Sequence, residues 1–262
     1  MLLTNNNLKK KFPKKIKKLS LKQKRISDDF MKYWHSVLHN NYSIVDKFNH
    51  EYVVNSRPKN FKNVLEIGAG DGEHLRYEKL SKKKLQNYFA MDIRQNMLSK
   101  LNKEFEGVNS YKGDCQKKTS FKSNFFDRVI AIHVLEHLPN LPKALSEINR
   151  VIKKNGILQI VIPCEGSLAY SIARKISAER IFKKRYKMNY KWFIEREHLN
   201  IPSEIFEELE KFFKILSVSY FPISIIPLEF CNLCIGLNLK KKLIEKIKEK
   251  KSNCYRLCRI YR

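Results

Sequence analysis

The stretch that decides the fold is residues 63–73, with the sequence NVLEIGAGDGE. Its apolar residues at positions 64, 65 and 67 predict a short buried strand. Glycines at 68, 70 and 72 then turn the backbone before a helix begins, since glycine takes positive φ and lets a ligand approach the main chain. Position 73 is Glu, where the dinucleotide-binding fingerprint has its third glycine. Glu66 precedes the turn and suits a cationic ligand or ribose hydroxyls better than a pyrophosphate.

Strands and helices alternate along the chain from this stretch onward. Strands are predicted at 63–67, 87–92, 108–111, 127–132 and 157–162, with helices near 73–83, 95–104 and 141–152. Such alternation predicts right-handed crossovers and a mostly parallel sheet with helices on both faces. A helix at 203–212, with Ser203 as its N-cap, and two strands near 214–221 and 232–239 complete seven strands.

We predict three parts in the chain. Residues 1–18 are a basic flexible arm, residues 19–58 a helical cap, and residues 59–262 an α/β domain with an inserted helical lid at about 164–200. Apolar residues recur at helical spacing among the lysines of the arm, so an interfacial amphipathic helix competes with a solvated tail. A basic helix is predicted to close the chain.

The charge of the chain is strongly positive. Lys and Arg number 53 against 26 acidic residues, a formal net charge of +27. This balance indicates an anionic partner, either a nucleic acid or a membrane surface, or else a lysine-rich solvated surface that needs no partner. The segment 215–239 is long and apolar, but Pro222, Pro227 and Glu229 favour two strands over a membrane span.

Six cysteines and no secretory signal predict a reducing, cytoplasmic compartment. The last four, Cys231, Cys234, Cys254 and Cys258, approach the spacing of a zinc ribbon. In a strand, however, an offset of three points the first two side chains to opposite faces. We therefore predict no metal site.

Acidic residues follow two of the predicted strands. Asp92, at the end of the second strand, is placed to accept both hydroxyls of a ribose, and Asp114, after the third, to accept an adenine amino group. Either carboxylate alone is equally well explained as a turn cap. Together with Glu66 and the glycines they indicate an adenosine site.

The chain resembles the class I S-adenosylmethionine-dependent methyltransferases over residues 60–165, and more loosely to its end. Five motifs in order carry the resemblance: VLEIGAGDGE at 64–73, AMDI at 90–93, GDCQ at 113–116, FDRVIAIHVLEHLPN at 126–140 and INRVIKKNGILQIVIP at 148–163. The resemblance implies a Rossmann-like fold that binds S-adenosyl-L-methionine. It implies a cofactor site formed by Glu66, Gly68, Ala69, Gly70, Asp92, Ile93, Asp114, Cys115 and His133.

Methyl transfer from a sulfonium is an in-line displacement, so alignment and exclusion of water supply much of the acceleration. A hydroxyl acceptor also benefits from a base. Candidates are His198, His133 and Glu165, each of which has a packing or turn role as its alternative.

The segment HVLEHL is similar to the branch of the family that methylates small molecules. The part after IPCEG is similar to methyltransferases found with surface-polysaccharide genes. We therefore expect methyl transfer to a hydroxyl of a small-molecule, saccharide or lipid-linked acceptor, with the basic tails as candidate contacts to an anionic membrane surface. An RNA methyltransferase that uses these tails is one alternative, and a non-catalytic S-adenosylmethionine-binding regulator is another.

Overall fold

The computed structural model describes residues 11–41, 43–225 and 229–242. Its sheet has seven strands: β1 Val64–Ile67, β2 Tyr88–Asp92, β3 Asn109–Lys112, β4 Phe126–Ile132, β5 Ile152–Pro163, β6 Phe213–Phe221 and β7 Cys234–Lys241. Their order across the sheet is β3-β2-β1-β4-β5-β7-β6. The first five strands pair in parallel, and β7 is antiparallel to both of its neighbours. The predicted Rossmann-like fold is confirmed.

Ten α-helices connect or flank the strands in the part of the chain that is described. They are α1 Leu21–Asn41, α2 Ser43–Asn55, α3 Glu73–Glu78, α4 Lys82–Leu85, α5 Gln95–Glu104, α6 Leu141–Val151, α7 Leu168–Arg174, α8 Arg180–Tyr186, α9 Lys191–Glu197 and α10 Pro202–Phe212. A π-helical turn, Lys175–Glu179, joins α7 to α8, and 3₁₀ turns cover Leu135–His137 and Glu229–Cys231.

Two apolar clusters cover the two faces of the sheet. Because side chains alternate along a strand, Leu65 and Ile67 pack into one cluster with α6 and α10, while Val64 packs into the other with α2, α3 and α5. A third cluster is aromatic and joins α1 to the segment 164–200, which we call the insert. Its centre is Phe30, whose ring lies 5.0 Å from that of Phe182 and 5.2 Å from that of Phe193. The helical cap thus packs on both the sheet and the insert.

Two predicted helix boundaries are wrong. The helix expected at 73–83 is divided, because Lys79 at the end of α3 adopts a left-handed conformation with φ 47°. Ser203 is not an N-cap, since α10 begins one residue earlier at Pro202, whose ring presets the helical φ. The Ile201 N–H then donates to the Glu204 carboxylate at 3.2 Å.

The described part of the predicted basic arm lies against the domain. Phe12 packs on the apolar core, and the Lys14 N–H donates to the Pro139 carbonyl at 2.8 Å. The ammonium groups of Lys11, Lys14 and Lys17 pair with Glu207, Glu204 and Glu195. Residues 1–10, the predicted closing helix, Cys254 and Cys258 lie outside the described residues. Among the helices that are described, none is long and apolar enough to cross a membrane.

One fully buried cation joins the cap to the sheet. Arg128 lies on β4, and its Nε donates to Gln159 on β5 at 2.5 Å. Its Nη2 donates to the Val53 carbonyl of α2 at 3.0 Å, and its Nη1 lies 2.6 Å from Glu78 of α3. Phe61 covers the guanidinium at 5.3 Å. Burial raises the pKa of Glu78, but His74 and Arg128 outweigh it and lower that pKa to about 2, so the pair is ionised.

We expect Arg128→Met to lower the free energy of unfolding by about 3–5 kcal/mol, because it leaves the Glu78 carboxylate buried beside one fewer cation. Denaturant unfolding followed by circular dichroism measures this. Arg185→Met is the matched control, since its guanidinium pairs with Asp29 at an exposed site and should change stability far less. Equal losses in the two variants would contradict the assigned role of Arg128.

Candidate active site

The loop after β1 is held in a conformation that requires glycine. Gly68, Gly70 and Gly72 have φ of 73°, 56° and 94°. A Cβ on Gly68 would lie 2.5 Å from Val134 Cγ2, so a side chain there meets the loop that follows β4. The N–H groups of Gly68 and Ala69 both donate to the Met91 carbonyl of β2, at 2.7 and 3.1 Å. The loop is therefore fixed between the ends of β2 and β4.

Asp92 ends β2 beside this loop, with its carboxylate buried. One oxygen accepts the Gly70 N–H at 3.0 Å, and the other accepts the Arg94 N–H at 2.8 Å. The Arg94 guanidinium contacts both oxygens at 3.1 Å. Burial raises the pKa of Asp92, but the hydrogen bonds from Arg94 and Gly70 outweigh it and lower the pKa. The site thus holds an ionised carboxylate whose oxygens are in contact with an arginine side chain.

The predicted cofactor-binding residues after β2 and β3 differ in exposure. Ile93 is 65% exposed, an unusual fraction for a large apolar side chain directly after a buried strand. Asp114 Oδ1 accepts the Gln116 N–H at 2.9 Å, in the manner of a turn cap. Cys115 is buried, and burial raises its pKa to about 12, so it contributes a neutral thiol. The Gly113 N–H donates to the Asp92 carbonyl at 3.1 Å and ties the two strand ends together.

Glu66 lies in a buried polar network on the face of the sheet covered by α2 and α3. The Tyr88 hydroxyl donates to its carboxylate at 2.8 Å, and its other charged neighbours include Glu78 and Arg128. Burial raises the pKa of Glu66 to about 8, so the group is protonated at neutral pH. A neutral acid with a tyrosine partner is poorly suited to the cationic ligand that the sequence suggested.

A second group of side chains gathers where β5 ends and the insert begins and ends. His198 follows α9, and its Nδ1 lies 2.6 Å from Glu165 Oε2. The other oxygen of Glu165 pairs with Arg174. Burial raises the pKa of Glu165, but His198 and Arg174 outweigh it and lower the pKa, so the carboxylate is ionised. The His137 ring lies 5.2 Å from the His198 ring.

His133 is placed by an uncommon backbone conformation, with φ of 50° at the end of β4. Its Nδ1 lies 3.1 Å from the buried carboxylate of Glu136. Burial lowers the pKa of His133, but the Cys234 sulfur and Glu136 outweigh it and raise the pKa above its usual range. The imidazole is therefore cationic at neutral pH and poorly suited to accept a proton.

Two residues of this group, Glu136 and Arg174, are not among the site residues predicted from the sequence. Glu136 lies within the HVLEHL motif, where a buried acid between two histidines is the signal that could have found it. The backbone carbonyl of Glu136 accepts the N–H groups of Leu199 and Asn200, at 2.7 and 3.0 Å. These bonds tie the end of the insert to the loop after β4. Arg174 has no comparable local signal, since only the insert's path brings it to Glu165.

Two cavities adjoin the Glu165–His198 pair, and both have Glu165 and Ile201 in their walls. The polar cavity, about 420 Å³, has charged and amide walls that include His198, Arg174, Asn189, Lys191 and Glu195. The apolar cavity, about 520 Å³, is lined by Leu168, Ile201, Pro202 and Phe230, together with Gly166, three serines, Glu165 and Glu229. The Glu165–His198 pair therefore lies between a polar cavity and an apolar cavity.

Residues 65–160 match the family model described as "Methyltransferase domain". Solved structures with the same fold include S-adenosylmethionine-dependent methyltransferases. One is the Thermotoga maritima protein described as a possible histamine N-methyltransferase, with a TM-score of 0.57 and 17% identity over 83% of this chain and 99% of that chain. This region is a class I methyltransferase domain. The cofactor of such domains is S-adenosyl-L-methionine.

The methyltransferase domain has further relatives. The N-methyltransferase NodS of Bradyrhizobium japonicum, solved with S-adenosyl-L-homocysteine, has a TM-score of 0.54 and 11% identity over 79% of this chain and 91% of that chain. At these identities the structural likeness shows the fold. A human mitochondrial protein named arginine-hydroxylase NDUFAF5 is 31% identical over 100 residues, which are 38% of this chain and 28% of the human protein. The match thus spans about a quarter of that relative.

The residues of this methyltransferase domain fit the cofactor. A Cβ would close the space at Gly68, and the ionised carboxylate at the end of β2 has two oxygens that match a vicinal diol and that the Arg94 side chain contacts in this structure.

We expect Asp92→Asn to weaken S-adenosylmethionine binding by about 10- to 100-fold, because charge-assisted hydrogen bonds to the ribose are lost. Isothermal titration calorimetry measures this. Arg94→Ala is the control: it keeps the carboxylate and removes the side chain that contacts its oxygens, so binding should be at least as tight as in the wild type. If both variants bind equally weakly, the ribose role of Asp92 is wrong and the ion pair itself holds the site together.

Proposed function

We propose that the protein transfers the methyl group of S-adenosylmethionine to a hydroxyl of a small-molecule, saccharide or lipid-linked acceptor. The observation that carries this proposal is the Glu165–His198 pair, 2.6 Å apart, in the wall of the polar cavity. A carboxylate that accepts the Nδ1 proton of an imidazole leaves Nε2 free of its proton and able to act as a base. Amines and carbanions need such a base less than a hydroxyl does.

The proposed cofactor contacts follow from the strand ends. Gly68, Ala69 and Gly70 would border the methionine part, Asp92 the ribose, and Ile93 one face of the adenine. Asp114, Cys115 and His133 would line the remainder. Ile93 supports this arrangement, since a flat base stacked on it would cover its exposed side chain. Glu66 would act from behind the loop, through its bond with Tyr88.

When bound, the cofactor supplies an electrophilic methyl group on a sulfonium. The chain's own residues then have three tasks. The glycine loop and Asp92 hold the adenosine end in place, so that the methyl group faces the acceptor. The insert, fixed by the backbone bonds from Leu199 and Asn200 to Glu136, keeps water away from the site. His198 takes the hydroxyl proton on Nε2, and Glu165 holds the resulting imidazolium.

Of the three proposed catalytic residues, His198 is the base and Glu165 a positioning residue. His133 is less suited to the same role, because the Cys234 sulfur acts together with Glu136 to raise its pKa and favour the cationic form. A cation beside the transferred group has a different use. It can orient an anionic group of the acceptor, or the carboxylate of the cofactor.

The polar cavity also bears on the class of acceptor. Its walls combine Arg174, Lys191, Asn189 and three glutamates, which offer donors and acceptors in several directions. A hydroxylated compound such as a saccharide matches such walls better than a flat apolar molecule does. The human relative's name, arginine-hydroxylase, makes oxygen insertion an outcome to be tested, although that protein aligns over only about a quarter of its length.

The RNA alternative depends on free positive charge in the basic tails. In the described part of the N-terminal arm, Lys11, Lys14 and Lys17 already pair with glutamates of α9 and α10. These three ammonium groups are therefore already paired within the protein. The alternative then rests on the other basic residues of the tails, and binding that falls steeply with salt and is insensitive to lipid would favour it.

We expect His198→Gln to lower turnover by about 100-fold or more with little change in S-adenosylmethionine affinity, because general-base catalysis is lost while the cofactor contacts remain. Glu165→Gln should lower turnover less, since the imidazole keeps a neutral partner. Glu207→Gln, at an exposed site, is the control. The readout is release of S-adenosylhomocysteine with fractionated cell extract as acceptor, beside calorimetry with the cofactor. A fully active His198→Gln protein would remove the base from the proposal.

The acceptor class is found by incubating the protein with methyl-labelled cofactor and separated glycan, lipid, RNA and protein fractions. Mass spectrometry of the labelled product shows whether it has gained a methylene unit or an oxygen atom. Cofactor binding without label in any fraction would favour the non-catalytic regulator.

A further inference from the structure

Large apolar side chains are exposed on one side of the insert. Leu168, Ile172 and Ile176 recur every fourth residue along α7 and the π-helical turn, with exposed fractions of 51%, 51% and 67%. Residues four apart on a helix lie on the same face, so the three form a continuous apolar stripe. Stable helices of soluble proteins normally turn such a stripe inward. Here the buried side of α8 and α9 is the aromatic cluster around Phe30, and the stripe remains outside it.

The stripe continues into the apolar cavity. Leu168 belongs to both, and Phe230 and Ile201, which are 60% and 42% exposed, form other parts of the cavity wall. A contiguous exposed apolar surface of this kind marks a site of contact with another apolar phase.

Positive charge accompanies the stripe. Lys175, Arg180 and Lys184 are exposed on the same run of helix, and the whole chain carries a net charge of +27. An apolar helix face flanked by lysine and arginine is the pattern of a segment that lies in the interface of an anionic membrane. A protein partner with an acidic, apolar surface would meet the same residues but would give no reason for a cavity behind them.

The position of the Glu165–His198 pair connects this surface to the reaction. Glu165 and Ile201 lie in the walls of both cavities, so the pair has polar space on one side and apolar space on the other. An acceptor with a hydroxylated head and a hydrocarbon chain would fill both: its head beside His198 and Arg174, and its chain along Leu168 and Phe230.

We propose that the acceptor is such an amphiphile, taken from an anionic membrane that the stripe Leu168, Ile172 and Ile176 contacts. This inference rests on the proposed function, of which it names the acceptor class and its source. The chain of the acceptor enters the apolar cavity from the bilayer, while the head reaches the base from the membrane surface. No covalent step beyond the proposed methyl transfer is required.

The test is co-flotation of the full-length protein with vesicles of phosphatidylcholine containing phosphatidylglycerol. We expect the wild type to bind, more weakly at high salt, and the double variant I172E/I176E to bind at least about tenfold less, because two apolar contacts are lost and two repelling charges added. The double variant L21E/I44E makes the same charge change at exposed apolar residues of α1 and α2 and should still bind. Circular dichroism and S-adenosylmethionine affinity should be unchanged in both.

The outcomes separate this inference from the proposed function. Equal binding by I172E/I176E and the wild type, or no binding by the wild type, would overturn the membrane contact while methyl transfer in solution could still be measured. Equal loss in L21E/I44E would assign binding to net charge alone and would also overturn it. Methylation of lipid-extract acceptors that fails in I172E/I176E, but is restored when those acceptors are presented in detergent micelles, would support it.

Discussion

The buried guanidinium of Arg128 is the interaction on which the arrangement of this fold depends. A charge in the centre of a sheet is tolerated only when it is paired and hydrogen-bonded, and here the partners come from α2, α3 and β5. α3 follows directly from the glycine loop, and α2 belongs to the cap. One side chain therefore fixes the cap, the loop and the sheet relative to one another. The position of the glycine loop at the edge of the sheet therefore depends on this buried network.

Two carboxylates that follow strands of the sheet are each paired with an arginine: Asp92 with Arg94, and Glu165 with Arg174. In both cases burial alone would favour the neutral acid. Arg94 and the Gly70 N–H reverse that preference at Asp92, and His198 with Arg174 reverses it at Glu165. The consequence differs between them. Arg94 contacts the oxygens that a ribose would need, whereas Arg174 leaves one oxygen of Glu165 for His198.

Several features were predictable from the sequence because they are local. The mostly parallel sheet of seven strands is confirmed, and it follows from alternating apolar strands and helices. Other features were missed for lack of a local signal. Arg128 interrupts an apolar strand, yet nothing near it in sequence tells that its partners are Val53, Glu78 and Gln159. The bond between the Tyr88 hydroxyl and Glu66, which was predicted as part of the cofactor site from its place before the glycines, likewise has no signal near Glu66 in the sequence.

The turn at residues 68–72 and the carboxylate that faces it at Asp92 can be read from the local sequence, because backbone φ and the direction of a strand's end are set by neighbouring residues. Long-range packing brings His198 to Glu165, 33 residues away, and places the two beside a polar and an apolar cavity. That meeting depends on the path of the insert, which is set by aromatic packing on α1 and by backbone bonds to the loop after β4. Such long-range packing leaves no periodic trace in the sequence.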